Sequence, residues 1–144
     1  SGQLEALARA APPNDASTPW LPYEELPAEL HAAGCALGVF GTSAKARRVI
    51  PNKAFQALAC GTPLVTADTP AARELLVHGE SALLVPPGDP DSLVTALRSL
   101  AADPALARRL SAGGLAAYRE HASEDVLGRR WRSLIESAVR RRAA

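Results

Sequence analysis

The chain contains no methionine among its 144 residues, and it begins with Ser1 and Gly2. Because a natural open reading frame starts with methionine, we expect a fragment, a processed chain or a recombinant piece of a longer protein. Cysteine is nearly as scarce: Cys35 and Cys60 are the two examples, and neither has a second Cys or a His at metal-ligand spacing. We therefore expect core thiols in a reducing cytoplasm and no metal site.

Charge of one sign and long apolar runs are also missing. The 16 basic and 15 acidic side chains nearly cancel, which excludes the basic excess typical of nucleic-acid binding. The longest segment without Asp, Glu, Lys or Arg is 30–44, and its 15 residues are fewer than the roughly 18 apolar residues of a membrane span. No signal peptide is recognisable, so we expect a cytoplasmic protein.

Signatures of nucleophilic and phosphate-loop enzymes are absent from the sequence too. It has no Gly-x-Ser-x-Gly elbow and no Gly-x4-Gly-Lys loop. His31, His78 and His121 lack partners at the spacing of a metal site or a proton relay, which favours surface or capping roles. The catalytic residues are therefore unknown at this stage.

What the sequence does contain is a regular alternation of strand and helix patterns. Strands are predicted at residues 16–21, 36–40, 63–67 and 82–85. Helices are predicted near residues 3–11, 51–60, 70–78, 90–101, 104–118 and 124–142, with one or two helical turns within 22–33. This alternation predicts a single α/β domain with a doubly wound parallel sheet.

The predicted helices begin in two different ways. Three of them follow a residue with a side-chain oxygen and then a proline, which is the pattern of a capped helix: Thr69, Asp89 and Asp103. The helix that starts with Pro51 at its first position follows Ile50, which cannot cap. Its first amide groups should therefore remain free, and free amides at a positive helix end can bind an anion such as phosphate.

Cationic side chains surround this predicted anion site. Lys45, Arg47 and Arg48 lie in the preceding loop, and Lys53 lies in the first helical turn. A cation in a first turn is unfavourable unless an anion offsets it, so Lys53 is the stronger candidate. The three loop cations could also form an ordinary solvated surface.

The segment 50–76, IPNKAFQALACGTPLVTADTPAARELL, combines Pro-x-Lys, an aromatic residue, an amide and Ala-x-Gly-x-Pro before an apolar strand. It resembles the donor-binding half of GT-B glycosyltransferases, in the large family that includes many retaining bacterial enzymes. The likeness continues through HGE at 78–80 and ALLVPPGDP at 82–90, and upstream through 21–41. Each piece alone is a weak signal, but five pieces in one order are specific.

The resemblance implies a Rossmann-like, C-terminal half of a GT-B fold. Residues 1–144 would form a partial donor-binding domain whose predicted strands correspond to strands three to six, so the first two strands are expected to be missing. Earlier phosphate-contacting residues and the N-terminal acceptor domain would be missing with them. We expect this fragment alone to be inactive, and its open sheet edge to need a partner chain or a swapped element.

The resemblance also assigns residues to a donor phosphate site. The backbone amides of Asn52 and Lys53 match the positions where the family cradles the donor phosphate, and Lys45 is expected to support them. The donor is a nucleotide diphosphate sugar, and no cofactor or metal is expected.

The family's two glutamates are both replaced in this sequence. The second glutamate, which usually holds the ribose hydroxyls, corresponds to Gln56, whose carbonyl still accepts but without charge. The first corresponds to Arg48, which with Pro51 lies in the donor-sugar region. These replacements leave open whether the site is active.

The predicted C-terminal helix, about 124–142, carries six arginines around an apolar stripe. The arginines are Arg129, Arg130, Arg132, Arg140, Arg141 and Arg142, and the stripe is Trp131, Leu134, Ile135 and Ala138. One interpretation is peripheral contact with the anionic inner face of a membrane. The other, which the resemblance favours, is docking on the acceptor domain.

The leading hypothesis is a hexosyltransferase-like glycosyltransferase of bacterial type, acting in polysaccharide or glycoconjugate biosynthesis. The alternatives are a noncatalytic nucleotide-binding or scaffolding module, and a sugar-nucleotide epimerase of the same fold. The nucleotide base, the sugar and the acceptor remain open.

Overall fold

The computed structural model describes residue 18 and residues 20–143. The predicted helix at 3–11 lies outside the described residues, as does half of the predicted strand at 16–21. Within that strand prediction, Thr18, Trp20 and Leu21 are described and are not in a strand.

The described residues contain three strands and six α-helices. The strands are β1 (Ala36–Leu37), β2 (Leu64–Ala67) and β3 (Leu83–Val85). The helices are α1 (Leu26–Ala32), α2 (Asn52–Ala59), α3 (Pro70–Arg73), α4 (Pro90–Ala102), α5 (Pro104–His121) and α6 (Glu124–Ala143). Short 3-10 helices occupy Tyr23–Glu25 and Ala46–Arg48. The first of these ends where α1 begins, and Pro27 lies in the first turn of α1, so no single regular helix starts at Tyr23, as expected.

The three strands form a parallel sheet in the order β1-β2-β3. Pairing continues beyond the two residues of β1, because Gly38 N donates to Val65 O at 2.8 Å and Ala67 N donates to Val39 O at 3.2 Å. The predicted parallel α/β fold is confirmed. Because all three strands are parallel, their carboxyl ends meet at one edge of the sheet.

The core lies on both faces of this sheet, because neighbouring residues of a strand point to opposite sides. One cluster joins the sheet to α2 and α3 and comprises Ala54, Ala57, Leu58, Leu64, Ala72, Leu76, Ala82 and Leu84. The other joins the sheet to α4 and α5 and comprises Val65, Leu83, Val85, Ala96, Leu100 and Leu110. Strands covered on both faces read as continuous apolar runs, which is why β2 and β3 were predictable.

Helix α3 is much shorter than the predicted helix at 70–78. It ends at Arg73, and the chain then turns toward β3. Val77 O accepts from Ser81 N at 3.0 Å, and Gly79, at φ 76°, donates from its N–H to Ala82 O at 2.8 Å. These turn hydrogen bonds replace the helical ones, so the predicted helix end was wrong.

Three glycines, Gly34, Gly38 and Gly41, lie near β1, and close packing requires a glycine at one of these positions. A Cβ atom at Gly38 would collide with the hydroxyl of Thr66, so only glycine fits there. Gly34 has open space beside it and Gly41 has ordinary contacts. Of these three positions, close packing therefore requires glycine at position 38.

The two cysteines are less buried than predicted. Cys35 and Cys60 are both half-buried free thiols, and partial burial raises the pKa of the Cys35 thiol. Among the histidines, His78 is exposed and its Nδ1 accepts from Leu84 N at 3.0 Å, which is a capping role of the kind expected.

Candidate functional site

Helix α2 begins without a side-chain cap. Pro51 occupies the N-cap position with extended backbone angles (φ −71°, ψ 150°), and the first helical residue is Asn52, so the expectation that Pro51 is itself the first helical residue is wrong. Proline has no side-chain acceptor, and its carbonyl accepts from Ala54 N at 2.9 Å. Within the described part of the chain, no group accepts from the N–H of Asn52 or of Lys53.

The other three predicted caps are formed. Thr69 Oγ1 accepts from Ala72 N at 3.1 Å, and Asp89 Oδ1 accepts from Ser92 N at 3.0 Å. Asp103 Oδ1 accepts from the N–H groups of both Ala105 and Leu106. For these four helices the sequence therefore predicted correctly which would be capped, and α1 also begins without a side-chain cap.

The predicted cationic residues are all at the surface. Lys45 begins the 3-10 helix Ala46–Arg48, which packs against α3, and Lys45, Arg47, Arg48 and Lys53 are exposed. None of the four forms an ion pair with a described residue. Gln56, four residues after Asn52 and so on the same side of α2, is half-buried.

A cleft of about 600 Å³ opens between the loop after β1 and helix α3. Its lining residues are Thr42, Ala44, Arg47, Arg48, Pro70, Ala71 and Glu74. Of the predicted site residues, Arg48 lines this cleft, whereas Lys45, Asn52, Lys53 and Gln56 do not. Sequence reasoning missed Glu74 as a cleft residue, because only the fold brings α3 opposite the loop.

A smaller cleft of about 330 Å³ adjoins the first and is lined by Thr42, Arg47, Asp68 and Pro87. These residues come from the loops that follow β1, β2 and β3. The loops after β1 and β3 are also tied directly, because Gly88 N donates to Phe40 O at 2.9 Å. The loops after the three strands therefore form one rim at the carboxyl edge of the sheet, where ligands of open α/β folds bind.

An ion pair between Arg73 and Asp68 lies at this rim. Arg73 donates to both carboxylate oxygens of Asp68, at 2.5 Å from Nε and 2.6 Å from Nη2. This hydrogen bonding with Arg73 lowers the pKa of the Asp68 carboxyl. The Arg73 charge is thereby offset, and the cationic character of the rim comes from Arg47 and Arg48.

No group of three or more His, Cys, Asp or Glu side chains suited to a metal ion occurs among residues 18 and 20–143. Across the same residues, no helix combines the length and apolar character needed to cross a membrane.

Helix α6 carries a second surface feature. Trp131, Leu134, Ile135 and Val139 are each more than half exposed, and all four lie on this helix. The apolar stripe expected from the sequence, Trp131, Leu134, Ile135 and Ala138, therefore lies at the surface, and Val139 extends it.

A family profile described as "Glycosyl transferases group 1" matches residues 2–103. The chain belongs to this family. It is 33% identical over 91 residues to the lipopolysaccharide core biosynthesis glycosyltransferase LpsD of Rhizobium meliloti, covering 63% of this chain and 26% of the relative. It is 36% identical over 100 residues to an exopolysaccharide phosphotransferase of Streptomyces coelicolor, covering 64% of this chain and 10% of that protein.

Solved structures show the same fold. Sucrose-phosphate synthase from Thermosynechococcus elongatus superposes with a TM-score of 0.72 at 24% identity, covering 94% of this chain and 34% of that one. The C-terminal domain of a glycosyl transferase group 1 protein, LpcC from Francisella tularensis, superposes with a TM-score of 0.62 at 18% identity, covering 85% of this chain and 62% of that one. The expected family and fold class are thus confirmed, and the chain spans well under half of the curated relatives it matches.

Proposed function

We propose that this chain is the donor-binding part of a glycosyltransferase that takes a nucleotide diphosphate sugar and transfers the sugar to a polysaccharide or glycoconjugate acceptor. The observation that carries the proposal is the uncapped N-terminus of α2. In a member of the glycosyl transferases group 1 family, this helix end presents two unpaired backbone N–H groups, at Asn52 and Lys53.

The chemistry of this helix end suits a diphosphate leaving group. Free N–H groups and the helix dipole both favour negative charge. When the bond to the sugar breaks, charge develops on the diphosphate, and donors already in place stabilise it without reorganisation. In our proposal Lys45 and Lys53 add cationic support, and no metal or cofactor takes part.

The rest of the donor is assigned along α2 and the loop before it. Gln56 lies one helical turn after Asn52, so the ribose would lie along the helix. Its hydroxyl groups would form hydrogen bonds with the side-chain amide of Gln56. The sugar would lie toward Pro51 and Arg48. Other phosphate contacts and the acceptor site would come from parts of the whole protein outside this chain.

The names of the relatives support the acceptor class. LpsD is named for lipopolysaccharide core biosynthesis, and the Streptomyces relative is named an exopolysaccharide phosphotransferase. Both act in the formation of surface polysaccharides by name, so we propose an acceptor of that type.

The proposal is tested by calorimetric titration of the full-length protein with uridine, guanosine and adenosine diphosphates and the matching monophosphates. One diphosphate should bind more tightly than its monophosphate, because the helix end contacts the terminal phosphate. The 144-residue chain alone should bind weakly. If no nucleoside diphosphate binds the full-length protein, the proposed function is wrong.

A noncatalytic nucleotide-binding module is the second candidate. It is favoured by Arg48 and Gln56, which stand where the family resemblance expects two acids. Such a module would bind the diphosphate yet leave a nucleotide sugar intact in the presence of acceptor glycans. A coupled assay for diphosphate release distinguishes the two functions, because only the transferase releases diphosphate from the nucleotide sugar.

We further propose that α6 packs on another part of the full-length protein. Its stripe of Trp131, Leu134, Ile135 and Val139 is too apolar to remain in water, and its arginines flank that stripe. Contact with an anionic membrane surface is the alternative. Co-sedimentation of the full-length protein with phosphatidylglycerol vesicles, but not with phosphatidylcholine vesicles, would favour the membrane.

A further inference from the structure

The 600 Å³ cleft between the loop after β1 and helix α3 has a volume within the usual range for small-molecule sites. It lies at the carboxyl edge of a parallel sheet, where ligands of open α/β folds bind. Its polar side chains are Thr42, Arg47, Arg48 and Glu74.

These four side chains leave the cleft with a positive excess. Arg47 and Arg48 form no ion pair with any described residue, and neither does Glu74. The neighbouring cation, Arg73, is already neutralised by Asp68. The lining therefore offers two guanidinium groups against a single carboxylate.

The mixture of charges selects for a particular kind of ligand. A guanidinium group recognises a carboxylate or a phosphate through two parallel hydrogen bonds. The Glu74 carboxylate can only accept, and the Thr42 hydroxyl can donate or accept, which suits sugar hydroxyl groups. A bare anion would pair with the arginines but leave Glu74 and Thr42 unused, and a neutral sugar would leave the two arginines without a partner. A polyhydroxylated ligand with one anionic group uses the whole set.

We propose that this cleft binds a sugar that carries a carboxylate, so that the donor is a nucleotide-linked uronic acid. The inference rests on the proposed function, since it places the sugar of the donor beside Arg48. The other source of an anionic group is the diphosphate itself, which would bring the same arginines into contact with every nucleotide donor.

The test uses the full-length protein and matched pairs of nucleotide sugars. By calorimetry, UDP-glucose is compared with UDP-glucuronate and GDP-mannose with GDP-mannuronate, and each nucleoside diphosphate is titrated alone. The variants are Arg47→Gln and Arg48→Gln, and Arg98→Gln on α4 is the control because Arg98 is exposed and does not line the cleft. Melting curves establish that each variant is folded.

In the unmodified protein the uronate of the preferred pair should bind about tenfold or more tightly than its neutral partner, because charge-assisted pairs are the strong ones. Arg48→Gln should remove most of that difference, Arg47→Gln part of it, and Arg98→Gln none. In Arg48→Gln, binding of the uronate should fall more than binding of the neutral sugar nucleotide or of the diphosphate alone.

Two results would overturn the inference while leaving the proposed function intact. One is equal or weaker binding of both uronates relative to their neutral partners. The other is an equal loss for diphosphate, neutral donor and uronate in Arg48→Gln, which would place the arginines on the diphosphate. If no nucleotide binds at all, the proposed function itself is wrong and this inference falls with it.

Discussion

Helix α2 begins without a side-chain cap, whereas α3, α4 and α5 each begin with one. Every helix begins with N–H groups that have no partner inside the helix. In α3, α4 and α5 the side chains of Thr69, Asp89 and Asp103 accept from those groups. In α2 the corresponding residue is Pro51, whose side chain has no hydrogen-bond acceptor.

Under the proposed function, the difference separates helix ends whose amides contribute to stability from one whose amides bind a ligand. At the capped helix ends a side-chain oxygen accepts from one or two of the first N–H groups. The α2 end lies beside a loop with Lys45, Arg47 and Arg48, and Lys53 is in its first turn. A helix end without a cap among so many cations is a costly arrangement unless an anion binds there.

The largest expected effect is that of Lys53→Ala on ligand binding. In the full-length protein this change should weaken binding of the diphosphate and of the nucleotide sugar alike, by about 1.5 to 3 kcal/mol, since it removes a charge-assisted contact to phosphate. Calorimetric titration measures the effect, and Arg98→Ala, a surface change on α4, is the control. Unchanged affinity would remove Lys53 from the site.

Removal of a cap should instead affect stability. Thr69→Ala and Asp103→Ala should each lower the free energy of unfolding by about 0.5 to 2 kcal/mol, because each removes an acceptor for first-turn N–H groups. Urea denaturation measures the change, and diphosphate affinity should stay the same. A loss of ligand binding without a loss of stability would break the distinction between the two kinds of helix end.

Gln56 should act on the ribose alone. Gln56→Ala should weaken nucleotide binding by about 0.5 to 1.5 kcal/mol, the value of a neutral hydrogen bond, and leave inorganic pyrophosphate binding almost unchanged. Gln56→Glu should strengthen nucleotide binding, because a charged acceptor holds ribose hydroxyls better. Equal losses for nucleotide and pyrophosphate in the alanine variant would mean that Gln56 is misplaced in the site.

The smallest expected effect is a pH dependence at the α4 cap. Hydrogen bonds from the Ser92 hydroxyl and N–H lower the pKa of the Asp89 carboxyl below its ordinary value of about 4. A carboxyl with a depressed folded-state pKa stabilises the fold above the unfolded-state pKa and loses that contribution as the pH falls through the folded-state pKa. The stability difference between the unmodified chain and Asp89→Asn, which still caps but does not titrate, should therefore shrink below about pH 4. A difference that is constant with pH would contradict this.

Local signals account for what the sequence predicted well. Thr69, Asp89 and Asp103 each precede a proline, and capping depends on residues within one turn, so the helix starts were correct. The buried strands β2 and β3 were predictable because they are apolar on both faces.

Features that depend on distant parts of the chain were not predictable. The end of α3 depends on the turn from Val77 to Ala82, and the need for glycine at position 38 depends on Thr66 in the neighbouring strand. Likewise, Glu74 reaches the rim only because α3 packs against the 3-10 helix that contains Arg48. The sequence identified the cations of the loop before α2 but did not show which of them share a cleft.

The most direct test of the account is to give α2 a side-chain cap like those of α3, α4 and α5. In the full-length protein, Pro51→Asp places a carboxylate where it can accept from Lys53 N, and Pro51→Ala removes the proline without adding an acceptor. We expect Pro51→Asp to melt no lower than Pro51→Ala, because a cap adds about 1 kcal/mol. We also expect it to bind pyrophosphate about tenfold or more weakly, since the Lys53 N–H is occupied and the new carboxylate repels the ligand, whereas Pro51→Ala binds normally. Equal pyrophosphate affinity in the two variants would show that the free helix end is not the phosphate site.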